Sequence, residues 1–320
     1  MSEQVLEVRN LSVRFHLPGG RWLQAVNSAS FSIAPGETLG VVGESGSGKS
    51  TIARALLRLV PASGGEVRFR GTDLLTLDAK RLRGMRRHLQ IIFQDPLASL
   101  DPRMNIGEII AEPLREQRRE LTAAARRERV LSMMERVGLL PAHLNRYPHE
   151  FSGGQAQRIG IARALVLEPE LLICDEPTSA LDVSIKSQIA NLLKDLQQLT
   201  NLSILFIAHD LAAIRFSCDR VLVLYLGRIM EVASRTDLFA QPRHPYTRAL
   251  LQSVPIPDPA RARARLVAPL SGEIPSPLSP PSGCVFRTRC PHAVLRCETE
   301  IPQPRAVGGT LVACHRAEEI

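Results

Sequence analysis

Apolar and polar residues alternate from Val5 to Phe15 and again from Trp22 to Ile33, and the second run ends at the turn signal Ala34-Pro35-Gly36. A period of two with one apolar face predicts an antiparallel sheet. Glu37 to Val42 (ETLGVV) reads as a buried strand and Thr51 to Leu59 (TIARALLRL) as a helix. From about Leu97 to Leu144 the pattern becomes helical, with a charge-dense stretch at Arg115 to Arg129 and an amphipathic one at Val130 to Val137. Leu171 to Cys174 (LLIC) and Ser203 to Ala208 (SILFIA) are strand-like, with a helix from about Ser184 to Leu199 between them. That alternation implies a parallel α/β sheet. Val221 to Tyr225 and Arg228 to Val232 make a hairpin-like pair around Gly227. From Pro255 to Pro281 the chain is Pro-rich and carries the basic run Arg261-Ala262-Arg263-Ala264-Arg265, which reads as a linker or surface wrap. The expected organisation is an α/β body over residues 1–250, with a helical insertion at about 97–165, then a linker and short tail over 251–320.

One stretch carries explicit chemistry. Gly43-Glu44-Ser45-Gly46-Ser47-Gly48-Lys49-Ser50-Thr51 matches the phosphate-loop pattern G-x-x-x-x-G-K-[ST] without a mismatch. Glycines let the backbone turn tightly so that consecutive N–H groups face the phosphates, and the following helix adds its positive end. Lys49 supplies a point charge to the β- and γ-phosphates, and the Ser50 hydroxyl joins the coordination of Mg²⁺. Strand, loop and helix stand in the order this requires, so the chain is expected to hold a nucleoside triphosphate.

Two further features narrow the chemistry. The apolar run Leu171 to Asp175 ends in a carboxylate followed directly by Glu176, one acid for Mg²⁺ and one to polarise the attacking water. Phe151-Ser152-Gly153-Gly154-Gln155 opens a helical segment, and two glycines after a hydroxyl at a helix N-terminus make a second anion-binding end.

With these in place the sequence resembles the ATP-binding subunit of an ATP-binding cassette (ABC) transporter over roughly residues 5 to 250. Phe151 to Gln155 looks like the family signature, with Phe where Leu is usual. The resemblance implies a fold of ABC type: a phosphate-loop ATPase with an antiparallel β subdomain, a helical signature subdomain and a small Cys-containing tail. It implies Gln94 as the Q-loop residue that senses Mg²⁺ and water, Glu176 as general base, and His209 as the γ-phosphate contact. It implies Ser179-Ala180-Leu181-Asp182 as the D-loop and Phe15 as the adenine-stacking aromatic, with Trp22 an alternative. Ser50, Gln94 and Asp175 are the implied Mg²⁺ ligands. In the family two such domains pair head to tail, so Ser152, Gly153 and Gly154 of one chain cap ATP on the loop of the other.

Phe93-Gln94-Asp95-Pro96, Glu150-Phe151-Ser152-Gly153-Gly154 and His244-Pro245-Tyr246-Thr247 resemble the branch that imports dipeptides and oligopeptides. The implied partners are a second, non-identical ATPase chain, two membrane permease subunits and an extracytoplasmic substrate-binding protein. The implied location is the cytoplasmic face of a bacterial inner membrane. Nickel, glutathione and other small-solute importers of the same branch are the alternative, and a soluble ABC ATPase acting on nucleic acid or ribosomes is a rival class.

Composition bears on that rival. The net charge of +8 suits nucleic acid or an anionic membrane, but aromatic residues make up only 4% of the 320 and no nucleic-acid-binding signature accompanies the arginines. An Arg-rich solvated surface is the expectation, with no specific nucleic-acid partner. No apolar run has the length to cross a bilayer, and Met1-Ser2-Glu3-Gln4 lacks the features of a secretory signal. Four of the six cysteines, Cys284, Cys290, Cys297 and Cys314, lie in the tail as C-x5-C-x6-C-x16-C. In a cytoplasmic protein this argues for a metal or cluster rather than disulfides, and the missing C-x-x-C pairs weaken the case for zinc. The family resemblance favours a [4Fe–4S] cluster on these four, with zinc or free thiols as the alternatives.

Overall fold

The computed structural model describes residues 4–179, 181–253 and 272–320. Ala180 of the expected D-loop, the Arg261 to Arg265 run and much of the Pro-rich stretch lie outside the described residues. In chain order the strands are β1 Leu6–Leu17, β2 Arg21–Ile33, β3 Thr38–Val42, β4 Gly64–Phe69, β5 Thr72–Asp73, β6 Leu89–Ile92, β7 Leu171–Asp175, β8 Ser203–Ile207, β9 Arg220–Tyr225, β10 Arg228–Ser234, β11 Arg305–Val307 and β12 Thr310–Val312. The helices are α1 Lys49–Leu56, α2 Ala79–Met85, α3 Ile106–Gln117, α4 Ala123–Arg136, α5 Gly153–Leu165, α6 Val183–Thr200, α7 Leu211–Ser217, α8 Arg235–Ala240, α9 Pro245–Gln252 and α10 Arg296–Thr299. They form two compact units, each discontinuous in sequence.

The first unit comprises residues 4–6, 33–38 and 69–208. Its strands β6, β7 and β8 run parallel, with Ile92 opposite Cys174 and Asp175 opposite Ile207. Every residue of β7 is buried, which is why the run is apolar throughout instead of alternating. Cys174 fits there as a small apolar residue, and burial pushes its thiol well above its ordinary pKa. The helical region divides in two. Asn105 caps α3 in a capping box, its side-chain oxygen accepting from the Glu108 amide (2.9 Å) while the Glu108 carboxylate accepts from the Asn105 amide (3.0 Å). Ile106, Ile109, Ile110 and Leu114 form the buried stripe of α3. The chain leaves helical geometry at Arg118, and Thr122 caps α4 through the Ala125 amide. Polar capping chemistry at Thr122 thus interrupts what the charge pattern shows as one helical zone.

The second unit comprises residues 7–32, 39–68 and the described residues from 209 onward. β1 and β2 form a hairpin across a three-residue turn, and β4 adds to β1. A second run of paired strands has the order β11-β12-β10-β9-β3; β3 and β9 are parallel and the remaining pairs antiparallel. The β9–β10 hairpin turns at Leu226 and Gly227, both left-handed (φ 44° and 74°). α1 begins at Lys49, two residues earlier than its apolar pattern indicates, and ends where Arg58 turns left-handed (φ 51°).

The tail corrects one expectation. The [4Fe–4S] cluster on Cys284, Cys290, Cys297 and Cys314 is not met: among the described residues no group of three or more His, Cys, Asp or Glu side chains is arranged to hold a metal ion. Burial raises the Cys284 thiol to about 11 and also raises the thiols of Cys290 and Cys314. β12 pairs with β10, Val312 opposite Glu231, and Val307, Val312 and Ala317 close a small apolar cluster against Cys314.

The joint between β10 and the tail is polar and dry. Glu231, fully buried, accepts the amides of Arg243 (2.8 Å) and His244 (2.9 Å). His244 accepts the Tyr246 amide on Nδ1 at 3.0 Å. Burial drives the His244 pKa from 6.5 to about 3, against the opposing pull of the Ala313 carbonyl. Between those values the unfolded chain binds a proton that the folded one refuses, so this contribution to stability, complete above about pH 6.5, is lost as pH falls toward 3. At pH 5 the loss is about 2 kcal/mol relative to pH 7.5. Urea unfolding followed by circular dichroism is expected to show it, with a shallower acid slope in His244→Gln.

Candidate nucleotide site

In the second unit, β3 delivers the chain to residues 43–51 and α1 leaves from them. Gly48 is the N-cap of α1 at φ +105°, and a Cβ there would lie 2.3 Å from the Ala25 carbonyl oxygen. At Gly43 a Cβ would lie 2.1 Å from the Leu224 carbonyl oxygen. No other residue type fits either place without moving backbone. Lys49 is almost fully buried, and its Nζ donates to the carbonyls of Gly43 (2.8 Å) and Glu44 (3.1 Å), which arches the loop over the ammonium. The Gly227 amide donates to the Ser47 carbonyl at 2.8 Å.

The loop retains capacity for a ligand. Ser45 and Gly46 are exposed, Ser50 and Thr51 are half-buried, and the Ser47 hydroxyl is buried without a hydrogen-bond partner. An orphaned hydroxyl in a glycine-rich loop that also holds a lysine suits phosphate oxygens. Trp22 is 52% exposed, but Arg14 lies 4.6 Å above its ring and His16 meets it at 4.9 Å. Phe15, on the opposite face of β1, is half-buried. His209 immediately precedes Asp210, whose carboxylate accepts the Ala212 amide (2.8 Å) and caps α7.

Two residues at this loop carry no signal a phosphate-loop pattern would reveal. Arg289 of the tail makes a bidentate pair with Glu44, Nη1 to Oε2 at 2.7 Å and Nη2 to Oε1 at 3.0 Å. The Tyr246 hydroxyl accepts the Glu44 amide at 3.0 Å. The His244 to Thr247 motif was visible as a family mark, but its role as a brace on the loop required the fold.

In the first unit, pairing of β6 with β7 brings together residues 82 positions apart in sequence: Gln94 donates from Nε2 to Glu176 Oε2 at 3.0 Å. Asp175, at the end of β7, is buried, whereas Glu176 turns left-handed at φ 51° and donates its amide to the Ile207 carbonyl at 3.0 Å. A glutamate in that conformation is uncommon and marks a place where backbone geometry has been given up for side-chain direction. Ser179 donates to the Glu176 carbonyl (3.1 Å), and Asp182 stands at the N-cap of α6. Ser152 caps α5 with Gln155 returning the bond, and Phe151 is buried against the His143 ring. A Cβ on Gly154 would lie 2.6 Å from Ile185 Cγ2, so α6 leaves room only for glycine there.

The family description "ABC transporter" matches residues 26–179, and "Oligopeptide/dipeptide transporter, C-terminal region" matches residues 230–297. The oligopeptide transport ATP-binding protein OppF of Salmonella typhimurium is 53% identical over 324 residues, covering 99% of this chain and 97% of the relative. OppF of Escherichia coli is 55% identical over 306 residues, covering 93% and 92%. The chain belongs to the ATP-binding subunits of ABC-type peptide importers. As a member of that family it is an ATPase. The dimeric cassette MJ0796 bound to ADP and phosphate matches with a TM-score of 0.66 at 29% identity, over 72% of this chain and 98% of that one. No helix among the described residues is long and apolar enough to cross a membrane.

Gly48→Ala is expected to weaken binding of ATP by about tenfold or more, because strain of 1–3 kcal/mol falls on the turn that aims the amides. Isothermal titration with a non-hydrolysed ATP analogue measures it, alongside a melting curve to show that the variant is folded.

Proposed function

We propose that this subunit binds and hydrolyses ATP to power import of dipeptides and oligopeptides. ATP is held on Gly43 to Thr51, with Lys49 on the β- and γ-phosphates and Phe15 against adenine. The choice of Phe15 over Trp22 is supported by the Arg14 guanidinium already lying on the Trp22 ring. Ser50, Asp175 and Gln94 would hold Mg²⁺, which would neutralise charge on the phosphates. Glu176 takes a proton from the attacking water as its oxygen bonds to the γ-phosphorus, and the bond to the bridging oxygen of ADP breaks. His209 contacts the γ-phosphate. The Gln94 hydrogen bond to Glu176 is the observation that carries this reading, because it holds the base's carboxylate in one direction.

A single chain supplies one loop and one signature, so turnover needs a second copy of the cassette. Ser152, Gly153 and Gly154 of each chain close the ATP on its partner, with the D-loop at Ser179, Leu181 and Asp182 between them. The MJ0796 cassette, dimeric in its ADP-and-phosphate state, supports such pairing. We assign the second chain to a homologous but non-identical ATPase, and the assembly to two permease subunits with an extracytoplasmic peptide-binding protein. The subunit then works at the cytoplasmic face of the inner membrane. Agreement with OppF along nearly the whole chain supports peptides as the cargo.

Glu176→Gln is expected to retain ATP binding while lowering turnover by about a hundredfold or more; undiminished hydrolysis would remove Glu176 from its role. In cells, deletion of the gene or Lys49→Ala is expected to abolish uptake of labelled dipeptides and tripeptides and to spare nickel. Loss of nickel uptake alone would assign a different cargo.

A further inference from the structure

Glu44 is an acidic residue in the loop proposed above to hold a triphosphate. Its carboxylate belongs to the very loop whose amides, helix end and lysine are arranged to attract negative charge. Arg289, 245 positions away in sequence, meets it with a planar fork at 2.7 and 3.0 Å. The Arg289 side chain is only 5% exposed. Tyr225 lies beneath the guanidinium, 5.9 Å from ring centroid to Cζ, with its hydroxyl 3.4 Å from Nη1. Tyr246 and Phe286 close the surround, the Tyr225 ring lying 4.7 Å from Tyr246 and edge-on to Phe286 at 5.4 Å. Water is kept from one side of the pair, so neither charge is screened as it would be on a surface.

We propose that Arg289 acts on the nucleotide through Glu44, as a positioning residue: it neutralises a carboxylate that would otherwise repel the triphosphate from the phosphate loop. The C-terminal segment thereby becomes part of the nucleotide machinery. The two ends of Glu44 are fixed by that segment and its joint, the carboxylate by Arg289 and the amide by the Tyr246 hydroxyl. The inference rests on ATP binding to this loop as proposed above.

A purely structural brace and a charge-neutralising one make opposite predictions for one variant. Glu44→Gln removes the carboxylate and leaves Arg289 as an unbalanced positive charge beside the loop. Neutralisation predicts that ATP binds about threefold tighter or more at low salt, whereas a mere brace predicts weaker binding. Arg289→Met exposes the carboxylate to the phosphates and is expected to weaken ATP binding about tenfold or more. The double variant is expected to recover most of that loss.

The measurement is the affinity of the full-length chain for Mg²⁺–ATP carrying a fluorescent ribose label, at low and high salt, with Lys49→Ala as control. Tighter binding by Glu44→Gln, lost in high salt, is the expected result. Weaker or unchanged binding by folded Glu44→Gln overturns the inference, whether or not Arg289→Met folds. Wild-type and Lys49→Ala chains that bind ATP equally would overturn the nucleotide reading itself, and this inference with it.

Discussion

A loop that gathers phosphates must present many positive dipoles at close range, and it must be held open against its own tendency to collapse. Several features of the second unit serve that requirement. Glycine at position 48 admits the Ala25 carbonyl, and Lys49 draws two loop carbonyls around its ammonium. The Gly227 amide and the Tyr246 hydroxyl fasten the loop from outside. None of these contacts alone exceeds a kcal/mol or two, the usual net value of a hydrogen bond, yet together they allow one backbone path.

The first unit solves a different problem, that of aiming one carboxylate. Parallel strands deliver their C-terminal ends to a common edge, and the loops after β6 and β7 meet there. Glu176 adopts a conformation that glycine would adopt more readily, and the Gln94 amide restrains the side chain that results. Asp175 continues the strand and stays buried, so two adjacent acids acquire separate environments from one change of backbone direction.

The phosphate loop and the strands leading to it were legible in the sequence because each depends on local periodicity or on a fixed spacing. Residues 97–144 showed their helical period but not the division into α3 and α4, which turns on the capping oxygen of Thr122. Phe151 to Gln155 was readable as a helix start, whereas the reason for Gly154 lies in Ile185, 31 positions later. The tail was misread. Four spaced cysteines are a strong compositional signal, but their chemistry depends on burial and mutual arrangement, and here the segment is ordered by strand pairing with β10 and by Arg289. A lone arginine in a sequence holding 40 basic residues offers no hint that it faces Glu44.

The central claim is that ATP hydrolysis by this chain is coupled to peptide passage through a membrane partner. Its most direct test is the ATPase rate of the chain assembled with its partner ATPase and permeases in proteoliposomes, with peptide-loaded or empty binding protein added. The account predicts slow hydrolysis that rises severalfold with the peptide-loaded binding protein. A rate indifferent to permease and binding protein, yet raised by DNA or ribosomes, would contradict it.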